Sequence, residues 1–215
     1  MAGSLFVLAV LFTIFVKVID VAAIGPKNSE VGFASINKFF WNLTGENTVW
    51  YKISDILGYF ALLIAVFYVG LGVYQLIKNK SFKKVNRNIY LLGAFYSLVG
   101  LTYIFFEIVV VNFRPILIDG VLEASYPSSH TMLALCICLS GVIVNNKLFN
   151  KNLVLKIVNI ALIVLGSVVV ITRYLSGAHW FTDILGALII SALLLVVFKI
   201  TVGIFETKNN KQINN

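Results

Sequence analysis

His179 and Asp183 stand four residues apart, a spacing that puts both on one face of a helix, a single turn from each other. A carboxylate placed there can accept a ring N–H, fix the imidazole tautomer and leave the other nitrogen free to attack an electrophile. Arg173, six residues before His179, offers a planar fork of N–H donors suited to phosphate oxygens. An Arg near a His–Asp pair is also what a plain ion-pair network looks like, so the triplet alone does not decide. The rest of the chain adds weight. His130, the only other histidine, sits in Tyr126-Pro127-Ser128-Ser129-His130-Thr131, shortly after Asn112-Phe113-Arg114-Pro115. Two of the three prolines and both histidines fall in three short polar islands. An ordinary apolar core is not built that way.

The elements that must position these islands are membrane helices. Of 215 residues, 60% are hydrophobic and 12% charged, with a mean hydropathy of +0.95. Uncharged apolar runs of this length read as bilayer spans, because about 20 helical residues cross a hydrocarbon core of roughly 30 Å. The fold class expected is therefore an all-α integral membrane protein. Six spans are predicted, at 5–23, 56–77, 89–111, 130–144, 153–171 and 180–200. Together they form one domain over residues 1–205, followed by a polar tail at 206–215.

Within the first span, Lys17 and Asp20 lie three apart and can pair with each other or reach the interface. A cleaved signal peptide is the competing reading of 5–23, disfavoured because no Lys or Arg precedes the apolar run. Residues 25–55 read as a polar outer loop. Inside it Phe33, Ile36, Phe40 and Leu43 recur at helical spacing, which predicts an interfacial helix lying on the membrane, or a lid over the site. The fourth span, 130–144, has about 15 residues and reaches only about 22 Å, so its start is expected below the membrane surface. Ser128 is then the expected helix cap, at an N-terminus suited to an anion. Cys136 and Cys138 point to different sides of this helix and read as small packing residues.

The net charge of +8 does not point to nucleic acid, because its distribution fits membrane orientation first. With six spans, one face carries eleven of the Lys and Arg residues and a single acid, Glu206. The other carries six cations and eight acids. The positive-inside rule puts the first face, and both termini, in the cytoplasm. All three polar islands then face outward. The expected location is a cell membrane, crossed several times, and a sequence rich in Ile, Lys and Asn hints at a bacterial one.

Arg114-Pro115, Pro127-Ser128-Ser129-His130, and Thr172-Arg173 with His179 and Asp183 together resemble the three signature motifs of the type 2 phosphatidic acid phosphatase superfamily. Those motifs are Lys-x6-Arg-Pro, Pro-Ser-Gly-His and Ser-Arg-x5-His-x3-Asp, and the resemblance covers roughly residues 55–200. It implies that His179 is the nucleophile, forming a phosphohistidine, and that Asp183 orients it. His130 would protonate the leaving lipid oxygen and later activate water. Arg114, Arg173, Ser128, Ser129 and backbone N–H groups would hold the phosphoryl oxygens. The family needs no metal and no cofactor, and two histidines without a third ligand make no zinc site.

Three positions depart from the motifs. Ser129 replaces Gly and Thr172 replaces Ser, both small changes. Glu107 stands where the family has Lys, seven residues before Arg114. Three readings of Glu107 follow: it orients Arg114, it meets a cationic headgroup or a bound cation, or it weakens the site as a phosphatase. The resemblance implies hydrolysis of a lipid phosphate or pyrophosphate at the outer leaflet, and the outward site favours undecaprenyl pyrophosphate. A lipid phosphotransferase using the same residues, and a non-catalytic lipid-binding or transport relative, are the alternatives.

Overall fold

Length and apolarity turn the expected spans into helices. In the computed structural model, which describes residues 1–213 and side chains as far as residue 207, the chain folds as seven α-helices. These are α1 (Ala2–Val18), α2 (Ala34–Thr44), α3 (Thr48–Asn79), α4 (Arg87–Ile108), α5 (Ser129–Leu148), α6 (Leu153–Leu175) and α7 (Phe181–Ile213). Five of them, α3 to α7, are long and apolar enough to cross a membrane. α1 has 17 residues, which span about 26 Å, slightly less than a hydrocarbon core of roughly 30 Å.

Several boundaries differ from expectation. α3 begins at Thr48, not 56, because the Asn47 side chain accepts from the N–H groups of Val49 and Trp50 and starts the helix inside the expected loop. α5 continues to Leu148 and has 20 residues, so the depth argument built on a short fourth span does not stand. Its extra turn is kept helical by polar contacts: Tyr68 donates to the buried Asn145 (2.8 Å), which donates to Asn159 (2.9 Å). α7 continues through residues 206–213 of the expected tail; Asn214 and Asn215 lie outside the described residues. Lys17 and Asp20 do not pair with each other. Lys17 donates to the carbonyls of Val110 and Val111, and the Asp20 carboxylate accepts the Ser35 N–H at the start of α2.

α5 is the central helix, packed against α3, α4, α6 and α7, while α1 lies along α7. Its two sides serve two apolar clusters. Cys136 and Met132 pack with Leu92, Phe95, Ala187 and Phe198, whereas Cys138 and Ala134 pack with Ala61, Leu162 and Val169. Both cysteines are free and buried, on opposite sides of α5 as their spacing predicted. Apolar side chains on α1, α3, α4 and α6 point outward, among them Phe6, Leu63, Ile104 and Ile160. In water that would be a liability; in hydrocarbon it costs nothing.

The bundle has two distinct ends. At one, Lys147 pairs with Glu206 (2.8 Å) and Arg87 lies over Phe205 (5.6 Å), which brings together the 80–86 link, the end of α5 and the far part of α7. At the other lie the start of α3, the ends of α4 and α6, and the starts of α5 and α7. There α2 covers the α6–α7 turn: Phe40 stacks on Phe181 at 4.0 Å, and Asn37 exchanges hydrogen bonds with Thr182. The face of α2 pointing away carries exposed Ile36, Phe39 and Leu43.

Candidate active site

Two short structures, a ribbon and a turn, bring the polar islands to that second end. Residues 112–125 form a narrow ribbon, closed by Arg114 N–H to Glu123 (3.1 Å) and Ser125 N–H to Asn112 (2.9 Å). The ribbon presents Arg114 and Ser125 side by side. The turn between α6 and α7 needs Gly177, whose φ is +66° and whose added Cβ would overlap the Gly45 carbonyl. Gly186, one turn into α7, leaves room for the ring of Tyr126. The ribbon can therefore lie flat against α7.

The His179 network runs in one direction only. Nδ1 is 3.1 Å from both the hydroxyl and the carbonyl oxygen of Ser125. The Ser125 hydroxyl donates to Asp183, which also accepts the Trp180 N–H (2.9 Å) and the Asn112 amide (3.4 Å). At the far side of the ring, Nε2 is 3.1 Å from an Arg114 NH1. An Arg can only donate, so Nε2 is the acceptor and Nδ1 carries the proton. His179 is 3% exposed. Burial first, then the positive charges of Arg114 and Arg173, with His130 adding to them when it is protonated, hold its pKa well below the ordinary value. It is a neutral imidazole with its lone pair on Nε2.

Arg173 is fully buried. Its NH1 donates to Ser54 (3.0 Å) and Asp55 (2.8 Å), and its guanidinium lies over the Tyr51 ring at 4.9 Å. Its Nε and NH2 have no protein partner, and neither does the Nε of Arg114 in hydrogen-bonding geometry. Arg114 Nε is 3.1 Å from Glu123, an ion pair without hydrogen-bond alignment. Buried guanidinium donors left unsatisfied are costly unless a ligand fills them.

His130 opens α5, with Nε2 3.3 Å from Asp55 and a buried Nδ1 that has no partner. Ser128 is buried, but its hydroxyl turns to Thr131 (3.1 Å) instead of capping the backbone. The first turn of α5 thus has no side-chain cap. The Ser128 N–H donates to the Asp183 carbonyl (3.1 Å), tying α5 to α7. Ser129 and Glu107 line one small cleft with His179, Tyr103 and Pro127.

Every sequence-predicted residue therefore lies at this end, in one connected region. Two expectations about neighbours change. Asp183 meets His179 mainly through Ser125, its own Oδ2 standing 3.9 Å from Nδ1. The acidic partner of Arg114 is Glu123, not Glu107, because the ribbon folds Glu123 directly across from it. Ser125, Asn112 and Asp55 went unread. Asn112 lies in the Arg114 island but carries no charge to single it out, Ser125 directly precedes the His130 island, and Asp55 lies at the edge of an expected loop. Only the polarity of Asp55 beside an apolar span was available as a signal.

The model of the family described as the PAP2 superfamily matches residues 33–205. The chain belongs to the PAP2 superfamily. The match begins ahead of the three motifs, so α2 and the first turns of α3 with Asp55 fall within the PAP2 frame. Among solved structures the chain is similar to the first transmembrane PAP2 type phosphatidylglycerolphosphate phosphatase from Bacillus subtilis, at 20% identity and a TM-score of 0.60, over 96% of each chain. That likeness extends the membrane PAP2 fold along nearly the whole chain. No curated protein matches the sequence.

Proposed function

We propose that this PAP2 superfamily member is a membrane lipid phosphatase, hydrolysing a lipid phosphate or pyrophosphate through a phosphohistidine. One observation carries the reading: buried Arg173 holds N–H donors without protein partners, and Arg114 turns its NH1 to the lone pair of a neutral, oriented His179. That is an oxyanion cradle set around a nucleophile.

In this reading the phosphoryl oxygens take the free donors of Arg173 and the NH1 of Arg114, with the uncapped first turn of α5 and Ser129 at their side. Arg114 gives up its contact with Nε2, whose lone pair attacks phosphorus. The Nδ1 proton stays with Ser125, and the positive charge that develops on the ring is balanced by Asp183 through the Ser125 hydroxyl. His130 supplies the proton to the leaving oxygen and then takes one from water. No step needs a metal ion, so phosphate release should persist in EDTA.

All six apolar helices, α1 included, cross the membrane with both termini in the cytoplasm. α2 lies along the outer interface, its exposed Ile36, Phe39 and Leu43 turned to lipid. The charge sorting of the loops supports a site at the outer leaflet of a bacterial membrane, where undecaprenyl pyrophosphate is the substrate we favour. The test is phosphate release in detergent from undecaprenyl pyrophosphate, phosphatidylglycerol phosphate and phosphatidic acid, by wild type and His179→Ala. The expected result is fastest release from undecaprenyl pyrophosphate, and none from the variant. No release from any of the three by wild type would reduce the chain to a lipid-binding relative. Phosphate appearing on an acceptor lipid instead of in water would make it a phosphotransferase.

A further inference from the structure

The second histidine has a partner that lies outside all three motifs. Tyr51, Ser54 and Asp55 occupy one face of the first turns of α3, at spacings of three and four residues. All three meet Arg173: the ring at 4.9 Å, the hydroxyl at 3.0 Å and the carboxylate at 2.8 Å. The same carboxylate oxygen of Asp55 is 3.3 Å from His130 Nε2, at ion-pair distance and outside hydrogen-bond alignment, so a small turn of the ring would close the bond. One turn further, Gly58 lets the helix pass close to the imidazole, since a Cβ there would come within 2.9 Å of His130 Cδ2. The Cδ2–Nε2 edge of the ring is therefore turned to α3. The opposite nitrogen, Nδ1, is buried without a partner.

We infer that Asp55 is a positioning residue: it holds the Nε2–H of His130 and so assigns the proton transfers of the reaction to Nδ1. A carboxylate cannot donate, so an Asp55–Nε2 hydrogen bond requires the proton on Nε2. An unsatisfied buried nitrogen calls for a partner that arrives with substrate. The inference rests on the phosphatase reading. A lipid phosphate that binds as its monoanion brings one acidic proton, which the bare Nδ1 of His130 takes up. In the first step the His179 Nε2–P bond forms, the bond from phosphorus to the leaving oxygen breaks, and that proton passes from Nδ1 to the leaving oxygen. In the second step water attacks phosphorus and the P–N bond breaks. The proton lost by water returns to Nδ1, and inorganic phosphate leaves. The charges bearing on His130 are Asp55 from α3, Arg173 from α6 and Arg114 from the ribbon, with His179 coupled to it across the site. Asp55 is the only acid in contact with it among the described residues.

A chain with two histidines allows a direct test by NMR of ¹⁵N-labelled imidazoles in detergent, His130 being assigned with His179→Gln. Neutral His130 should carry its proton on Nε2 in the wild type, and should lose that preference in Asp55→Ala. A proton on Nδ1 in wild-type His130 overturns the inference, whether or not any variant folds. In steady-state assays Asp55→Asn, which keeps an acceptor but removes the charge, should lower kcat on undecaprenyl pyrophosphate by about 10- to 100-fold, with Asp55→Glu recovering part of it. An effect confined to KM would leave Asp55 as a support for Arg173 alone and would also overturn the inference. If wild type releases no phosphate from any lipid while the tautomer is as expected, the phosphatase reading fails and the Asp55–His130 pairing stands. If wild type is active and the tautomer is reversed, only the inference fails.

Discussion

Asp183 and His179 do not share a direct hydrogen bond: their Oδ2 and Nδ1 stand 3.9 Å apart, with the Ser125 hydroxyl between them, donating to Asp183 and 3.1 Å from the ring. A carboxylate that acts through a hydroxyl needs that hydroxyl. Ser125→Ala should therefore lower kcat by about 10²-fold, although Ser125 lies in none of the motifs. Because both groups act on the imidazole through one chain of contacts, the double variant Ser125→Ala/Asp183→Asn should lose little more than the worse single variant. Losses that multiply in steady-state assays would place the two residues on separate paths.

The lowered pKa of His179, caused first by burial and then by Arg114, Arg173 and His130, has a definite sign. Above about pH 6.5 the ring is neutral in both folded and unfolded chains. Below it the unfolded chain takes up a proton that the folded chain refuses, so stability falls as pH falls. The slope is up to about 1.4 kcal/mol per pH unit until the folded pKa is reached. Melting temperatures in detergent from pH 7.5 to 5 should fall more steeply for wild type than for His179→Gln. If His179 is the nucleophile, its lowered pKa should make the rate of phosphohistidine formation fall less with falling pH than it would for an ordinary imidazole.

Glu107 lines the same cleft as Ser129 and His179, while Glu123 takes the place beside Arg114. Glu107 does not pair with Arg114, and in the phosphatase reading proposed above it is a charge facing the substrate. Glu107→Lys should raise kcat/KM on simple anionic phosphates by roughly tenfold, a change of about 1.4 kcal/mol. A loss of activity on these substrates, in the same phosphate-release assay, would return Glu107 to an orienting or cation-binding role.

Topology is tested without any assay of activity. Asp119 is exposed at the tip of the 112–125 ribbon, and Asn146 is exposed near the end of α5, at the other end of the bundle. A membrane-impermeant thiol reagent applied to intact cells should label a cysteine at Asp119 and not one at Asn146. The native Cys136 and Cys138 are buried and should stay silent.

Helical membrane character and most residues of the candidate site follow from the order of amino acids alone. Apolar runs long enough for a bilayer have few alternatives to helix, since hydrocarbon satisfies no backbone group. Ionisable residues near the ends of such runs stand out because they are costly there. The polar islands at Arg114, His130 and Arg173–Asp183 were legible for that reason, as was the split packing of Cys136 and Cys138.

Helix ends were less legible. Asn47 and Asn145 moved the starts and stops of α3 and α5 through hydrogen bonds that composition does not register. Which side chain partners which is fixed by packing between distant segments. Asp55 and Arg173 are 118 residues apart in sequence, and Ser125 and Asp183 are 58 apart. Contacts of that kind depend on how α3 packs beside α6 and how the ribbon lies on α7. Those arrangements are set by close approaches at Gly58, Gly177 and Gly186, where the absence of a side chain decides the geometry.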